Sequence, residues 1–263
     1  MDAASMNSIS ISLDRYTVRS MERVHGYLSS LDAGLIAALL SYQDEKNLQG
    51  HLCEIGVHHG RLFLLLALAR RAGERALAID LFEDDAINEN TQHAGRDRAL
   101  FANARRLGIE LSEEEIYKTS SIDIEHTDIL TRTTGRIRFF SIDGCHLYQH
   151  VENDLRLAER TLTAEGIIAV DDFFNKDWPD ASFAAYDFLR QTDAIVPFAI
   201  TSSKLYLAAP KVAEQYKVAL SKRADLAQNY CVQILGREVL SFRQGMVKRG
   251  YDLLRGLIIR RVS

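Results

Sequence analysis

Three aspartates and a histidine stand just past two apolar runs, and they carry most of the chemistry this chain could perform. Asp143 and His146 lie in Phe139-Phe-Ser-Ile-Asp-Gly-Cys-His146, and Asp171 and Asp172 close Ile167-Ile-Ala-Val-Asp-Asp172. If the two runs are neighbouring strands, the three carboxylates meet at one rim. Carboxylates a few ångströms apart repel unless one is protonated or a cation lies between them. Hard oxygen ligands suit Mg²⁺, Ca²⁺ or Mn²⁺ better than zinc. Such an ion could bind a hydroxyl and lower its pKa. His146 could accept the released proton. The competing structural role is that Asp172 caps a turn, Asp143 holds backbone amides and His146 is polar packing. Asn175 is separated from the Asp pair by two phenylalanines and is a poor fourth ligand.

A second constellation is Glu54-Ile-Gly-Val-His-His-Gly60. Its glycines, Gly56 and Gly60, permit a tight turn and close approach of a ligand to the backbone. The spacing is neither the dinucleotide fingerprint nor the P-loop. Asp80 ends the next apolar run, 20 residues past Gly60. A carboxylate there can accept from both hydroxyls of a ribose, which points to an adenosine-containing cofactor. His58 and His59 sit inside the glycine turn, where loop exposure competes with lining of the pocket. Phe173, Phe174, Trp178 and Tyr186 could wall a substrate or cover a sheet edge.

The elements that must position these groups alternate. Residues 1–12 are expected to fray, with helices over 13–30 and 33–43, the second capped by Asp32. Strands are expected at 51–55, 75–79, 116–119, 137–142 and 166–170, separated by helices at 62–71, 97–107, 122–131 and 148–162. This spacing makes βαβ units and a parallel sheet. After a helix near 181–189, strands at 194–200 and 204–208 are separated by Thr201-Ser-Ser203 alone. A parallel crossover needs about a dozen residues or more, so this pair must be antiparallel. The expected fold is a doubly wound α/β domain with a mostly parallel seven-stranded sheet ending in an antiparallel hairpin. It divides into an N-terminal helical cap (1–45), a ligand-binding domain (46–210) and a C-terminal extension (211–263). The extension is expected to hold a helix over 212–227, a short strand near 230–235 and a basic terminal helix. Leu253, Leu254, Leu257 and Ile258 of that terminal helix form a stripe suited to the domain or a dimer interface.

At Glu54–Gly60, Ala76-Leu-Ala-Ile-Asp80, Ser141-Ile-Asp-Gly-Cys-His146 and Gly166-Ile-Ile-Ala-Val-Asp-Asp172 the chain resembles the class I S-adenosylmethionine-dependent methyltransferases. Within them it is most similar to the small-molecule O-methyltransferases of the macrocin and caffeoyl-CoA type. The resemblance spans about residues 50–210. It implies that the backbone at Gly56 and Gly60 faces the methionine part of S-adenosylmethionine, with Glu54 near its amino group. It also implies Asp80 on the ribose and Ser120 or Ser121 beside the adenine. Asp143 then belongs to three sets, cofactor-contacting, catalytic with His146, and metal-ligating with Asp171 and Asp172, around Mg²⁺ or another divalent cation. The rivals are metal-independent transfer with His146 as base, an NAD-type oxidoreductase, and a non-catalytic binding protein on the same fold. The missing dinucleotide fingerprint and the terminal hairpin count against the oxidoreductase.

Bulk composition narrows the partners. Lys and Arg number 32 against 36 Asp and Glu, so the chain has no overall attraction for nucleic acid. Cys53, Cys145 and Cys231 are far apart and form neither a zinc motif nor a disulfide framework, which suits a reducing, cytoplasmic setting. No stretch approaches the ~20 apolar residues of a membrane span. The N-terminal segment lacks the apolar core of a secretory signal. The expected partners are a small-molecule acceptor and a second copy in a possible homodimer, with no nucleic acid and no membrane.

Overall fold

A computed structural model describes residues 3–82, 96–223, 226 and 228–243 of the 263. Its centre is one nine-stranded sheet in the order β3-β2-β1-β4-β5-β7-β6-β9-β8. Five parallel strands form the first part: β1 (His51–Ile55), β2 (Ala76–Asp80), β3 (Ile116–Lys118), β4 (Ile137–Ile142) and β5 (Leu162–Val170). Their side chains are apolar on both faces, because helices cover both faces. β6 (Val196–Ile200) and β7 (Leu205–Ala208) form the expected antiparallel hairpin, and β7 inserts between β6 and β5.

The strand count differs from expectation. Residues 228–243 form a hairpin, β8 (Gln228–Ile234) and β9 (Arg237–Phe242), whose second strand runs parallel to β6. The sequence reading found only a short strand near 230–235. Arg237-Glu-Val-Leu-Ser-Phe242 carries charged and polar residues that mask its strand character, and the turn Leu235-Gly236, both at positive φ, was the missed signal. The sheet thus has nine strands, not seven.

Two helical layers enclose it. On one face lie α1 (Ala3–Arg15), α2 (Ser30–Glu45), α3 (Phe63–Leu68), α4 (Arg96–Leu107) and α8 (Pro210–Ser221). On the other lie α5 (His126–Thr133), α6 (Tyr148–Thr161) and α7 (Pro179–Gln191). The N-terminus is not frayed as expected, since Ala3–Arg15 is helical and Leu13 is fully buried. The cap of α2 is Ser29, whose hydroxyl accepts from the Asp32 backbone N–H at 3.0 Å, rather than Asp32 itself. Asp32 is free for another task, described below. The expected terminal helix lies outside the described residues. Among the described residues no helix is long and apolar enough to cross a membrane.

The strand ends are cross-linked in series. The Gly56 N–H donates to the Ile79 carbonyl at 2.9 Å, the Asp143 N–H to Ile55 at 2.8 Å, and the Asp171 N–H to Ile142 at 2.9 Å. Gly56 has φ +83°, and a Cβ there would lie 1.9 Å from the Asp143 carbonyl oxygen. The glycine is needed so that the turn after β1 can touch the turn after β4. Gly60 has φ +89° and its Cβ would meet Leu100 of α4 at 2.3 Å, again a packing requirement. Gly73 has nearly the same φ, +82°, with nothing within 4 Å. Gly73→Ala should therefore cost about 1–2 kcal/mol, the left-handed penalty alone. Gly56→Ala should cost about 1–3 kcal/mol more, from overpacking against fixed backbone. Urea unfolding midpoints of the two variants measure the difference, and equal losses would remove the contact argument.

Candidate active site

A cleft of about 780 Å³ opens over the carboxyl ends of β1, β2 and β4. Glu54, Gly56, Asp80, Ser120, Ser121, Asp143 and His146 all line it, so it gathers the residues singled out from sequence apart from Gly60, Asp171 and Asp172. Gly60 lies behind the turn against α4. Asp171 and Asp172 stand at the adjoining end of β5.

At the cofactor end, the Asp80 carboxylate fixes the glycine turn. Its Oδ2 accepts from the backbone N–H groups of Val57 (2.7 Å) and His58 (2.9 Å), and its Oδ1 from Phe82 N–H (2.8 Å). These backbone bonds are a role the sequence reading did not assign. His58 takes φ +52°, an uncommon conformation for a non-glycine residue. Glu54 is buried, and its Oε2 has no hydrogen-bond partner among the described residues. Burial first, and then the neighbouring Asp143 charge, push its carboxyl well above the usual carboxylate range. A buried acceptor without a donor is unfavourable unless a ligand supplies one. Beneath Ser121, the fully buried Asp154 of α6 was also missed. Burial pushes its pKa up to about 7, against the opposing effect of hydrogen bonds from Ser121 and Asn153.

At the other end, His146 Nε2 lies 3.0 Å from Asp172 Oδ2, and its ring centroid lies 4.8 Å from that of Trp178. Asp172 sits at φ +55° and Phe174 at φ +68° in the turn after β5. The amide of Asn175 donates to Asp172 Oδ1 at 2.7 Å, so Asn175 orients the aspartate. Leu147, Phe174, Trp178 and Phe183 leave an exposed apolar rim around this dyad.

The carboxylates do converge, but a residue unforeseen from sequence stands among them. The ammonium of Lys204, at the start of β7, lies 3.0 Å from Asp171 Oδ1 and 3.6 Å from Asp143 Oδ2, and the side chain is 2% exposed. Burial works to raise Asp171, yet the Lys204 charge and a hydrogen bond from Asp143 hold it below its ordinary value. Asp143 goes the other way: burial raises it, Lys204 opposes, and the Asp171 charge adds to the rise. The geometry is that of an Asp171–Lys204 ion pair with the Asp143 carboxyl 3.6 Å from the same ammonium. Unit charges about 4 Å apart interact by about 4 kcal/mol at an effective dielectric of 20. A divalent ion shared by Asp143 and Asp171 would meet that ammonium, and Asp172 is turned to His146 and Asn175. The expected trio does not fit a common ion. Asp143, His146 and Asp172 do each present one ligand atom within 4.8 Å of the others.

Residues 53–173 match a family described as a methyltransferase domain. Among solved structures, the TDP-rhamnose 3′-O-methyltransferase of calicheamicin biosynthesis, in its apo form, is similar with a TM-score of 0.51 at 16% identity. That match covers 79% of this chain and 96% of the other. An O-methyltransferase from Bacillus cereus, in complex with SAH, is similar with a TM-score of 0.52 at 13% identity, covering 77% and 90% of the two chains. No curated protein sequence matches this chain.

Asp154 gives a pH test of the support beneath the site. Unfolded aspartate titrates near pH 3.9, and the native group near 7. Between these values the native state binds more protons, so stability from this group is complete below about pH 4 and lost as pH rises to about 7. Asp154→Asn should raise stability at pH 8 by about 2–3 kcal/mol relative to the parent, with the gap closing toward pH 5. Denaturation at the two pH values measures this, and a pH-independent gap would refute it.

Proposed function

We propose, for a chain that carries a methyltransferase domain and has the fold of the class I S-adenosylmethionine-dependent methyltransferases, transfer of a methyl group to a hydroxyl oxygen of a small molecule. The observation that carries this reading is one cleft with a buried carboxyl group, Glu54, one of whose oxygens has no partner among the described residues, and with His146, paired to Asp172, on its lining. S-Adenosylmethionine, when bound, supplies an electrophilic methyl group on a sulfonium. The bound SAH of the Bacillus cereus protein supports that choice of donor.

Glu54 would accept from the ammonium of the methionine part, which answers its missing donor. Asp80, already holding the glycine turn, would offer its carboxylate to the ribose. Ser120 and Ser121 would flank the adenine. The acceptor would lie against Trp178 with its hydroxyl at His146. Displacement at a methyl carbon needs alignment and removal of the acceptor's proton. His146 takes that proton, and Asp172 Oδ2 orients the imidazole and stabilises its charged form, as carboxylates paired with histidines do. No step requires a metal. The exposed apolar rim of Leu147, Phe174, Trp178 and Phe183 favours an acceptor that presents an apolar or ring face beside its hydroxyl.

Two measurements test the two ends. Burial makes the Glu54 carboxyl bind a proton more readily in the free protein, while an ammonium beside it favours the ionised form. S-Adenosylhomocysteine binding should therefore release a proton, and its affinity should rise with pH until the free carboxyl ionises. Calorimetry in buffers of different ionisation enthalpy reads the proton directly. Glu54→Gln should abolish the release and weaken binding by about 1.5–3 kcal/mol, the range for hydrogen bonds to charged groups. Binding with no proton exchange would place the ammonium elsewhere. At the other end, His146→Ala should lower turnover by about 10²–10⁴-fold with S-adenosylhomocysteine affinity kept, the usual weight of a general base. Unchanged turnover would remove His146 from the reaction.

A further inference from the structure

Lys204 has no part in the transfer described above, yet it is among the most deeply buried charged groups of the described chain. Three observations bear on it. First, the β5–β7 register pairs Val170 with Leu205, so Lys204 is delivered beside the first residue after β5, Asp171. Second, its backbone is clamped. The Lys204 N–H donates to Thr201 Oγ1 at 2.9 Å, and the Thr201 N–H donates to the Lys204 carbonyl at 2.9 Å. Third, the clamp is anchored in another layer. The buried Asp32 of α2 accepts from Thr201 Oγ1 (2.7 Å), Ser203 Oγ (2.8 Å) and Tyr206 OH (2.9 Å). The backbone of Lys204 is thus held by hydrogen bonds, while its ammonium makes none among the described residues and is held by charge, 3.0 Å from Asp171 Oδ1 and 3.6 Å from Asp143 Oδ2.

We infer that Lys204 is a positioning residue whose ammonium occupies the place of a divalent cation in the carboxylate cluster, holding Asp143 and Asp171 together and closing the cluster to metal. This rests on the reading of the cleft as a methyl-transfer site. Asp143 is the hinge of the argument. Its N–H is bound to Ile55, its carbonyl touches Gly56, and its carboxyl lies over Lys204. Fixing that carboxyl fixes the loop from Asp143 to His146, and with it the imidazole facing Asp172. A single internal charge does this permanently, where an exchangeable ion would do it only when bound.

The test needs no acceptor. Mn²⁺ is titrated into the full-length protein after treatment with chelator, with free Mn²⁺ read by electron paramagnetic resonance, and S-adenosylhomocysteine binding is measured in parallel. The parent protein should bind no Mn²⁺ below millimolar concentration, and its melting temperature should be the same with chelator, Mg²⁺ or Mn²⁺. Lys204→Met exposes the uncompensated carboxylates. It should melt lower, regain stability in Mn²⁺, and bind Mn²⁺ at least tenfold more tightly than the parent, a gain lost again when Asp171→Asn is added. Lys204→Arg should keep the parent's indifference to metal. If Lys204→Met does not fold, the parent and Lys204→Arg titrations decide the matter. Micromolar Mn²⁺ binding by the parent, lost in Asp172→Asn, would overturn the inference and put the ion among Asp143, His146 and Asp172. Lys204→Met with the parent's weak Mn²⁺ binding would also overturn it, leaving Lys204 a structural ion pair. Absence of S-adenosylhomocysteine binding in the parent would sink the methyl-transfer reading instead, and the Mn²⁺ result would still stand by itself.

Discussion

The backbone of Gly56 rests on the backbone of Asp143, and every functional group in the cleft is placed with reference to that contact. It joins the ends of β1 and β4, the two strands at the middle of the parallel part of the sheet. From β1 it sets Glu54 and the turn that Asp80 clamps from β2. From β4 it sets Asp143 and the loop carrying His146. In an open parallel sheet the crevice lies beyond the carboxyl ends of such strands. Here the crevice is defined by how closely two turns approach, and that distance is available only to a residue without a Cβ. The glycine therefore acts on function through packing. A ligand need not touch Gly56 for its replacement to disturb the site.

Charge is distributed on the same plan. Buried ionisable groups are costly unless paired or neutral, and each here has found one of those states. Far from the cleft, Arg138 at the start of β4 is 1% exposed and bonds to Glu74 (2.8 Å), Gln43 (2.8 Å) and the Ala69 carbonyl (2.8 Å), which ties α2 and α3 to the sheet. At the cleft, Lys204 and Asp171 form the corresponding pair. The remaining carboxyls, Glu54, Asp143 and Asp154, are all raised, with burial the leading cause in each. Arg138 makes hydrogen bonds through Nε, Nη1 and Nη2. Glu54 Oε2, Asp154 Oδ2, Asp171 Oδ1 and Lys204 Nζ make none among the described residues, so these unsatisfied buried polar atoms gather toward the cleft end of the strands and the satisfied arginine lies at the other.

Much of this was legible in the sequence, and the failures have physical causes. The parallel strands and the antiparallel β6–β7 pair could be read because unbroken apolar runs mark buried strands and a three-residue connection permits only one direction. The convergence of Asp143 with Asp171 and Asp172 followed from β4 and β5 being adjacent. Lys204 could not be read. It stands 32 residues past Asp172 on a strand that enters the sheet out of chain order, so no spacing rule links it to the aspartates. A lysine between Ser203 and Leu205 looks like the solvated tip of a hairpin. Asp32 was read as a cap for a related reason, because three of its four hydroxyl donors come from residues 201–206, about 170 positions away, and only Ser29 is local. At the glycines, positive φ can be guessed from sequence, while the atom facing the missing Cβ, Asp143 O at Gly56 and Leu100 Cδ1 at Gly60, cannot.

The two ends of the cleft are built from different kinds of structure, and this bears on how each could vary. The cofactor end uses strand ends and backbone hydrogen bonds, with Asp80 spanning Val57, His58 and Phe82, so its geometry is set by the sheet itself. The acceptor end hangs on the turn after β5. There Asp172 and Phe174 both adopt left-handed backbone, Asn175 holds Asp172, and the next residues expose Phe174, Trp178 and Phe183. Such conformations persist only where their surroundings impose them. Phe173 supplies that anchor, fully buried with its ring centroid 5.5 Å from that of Tyr186 at a tilt of 33°. One buried ring thus secures a turn whose next residues face outward, and the same turn aims the carboxylate that orients His146. Substitutions along 174–183 change the exposed rim, while Phe173, Lys204 and the Gly56–Asp143 contact belong to the buried frame that keeps His146 beside Asp172, so the rim can vary without the frame.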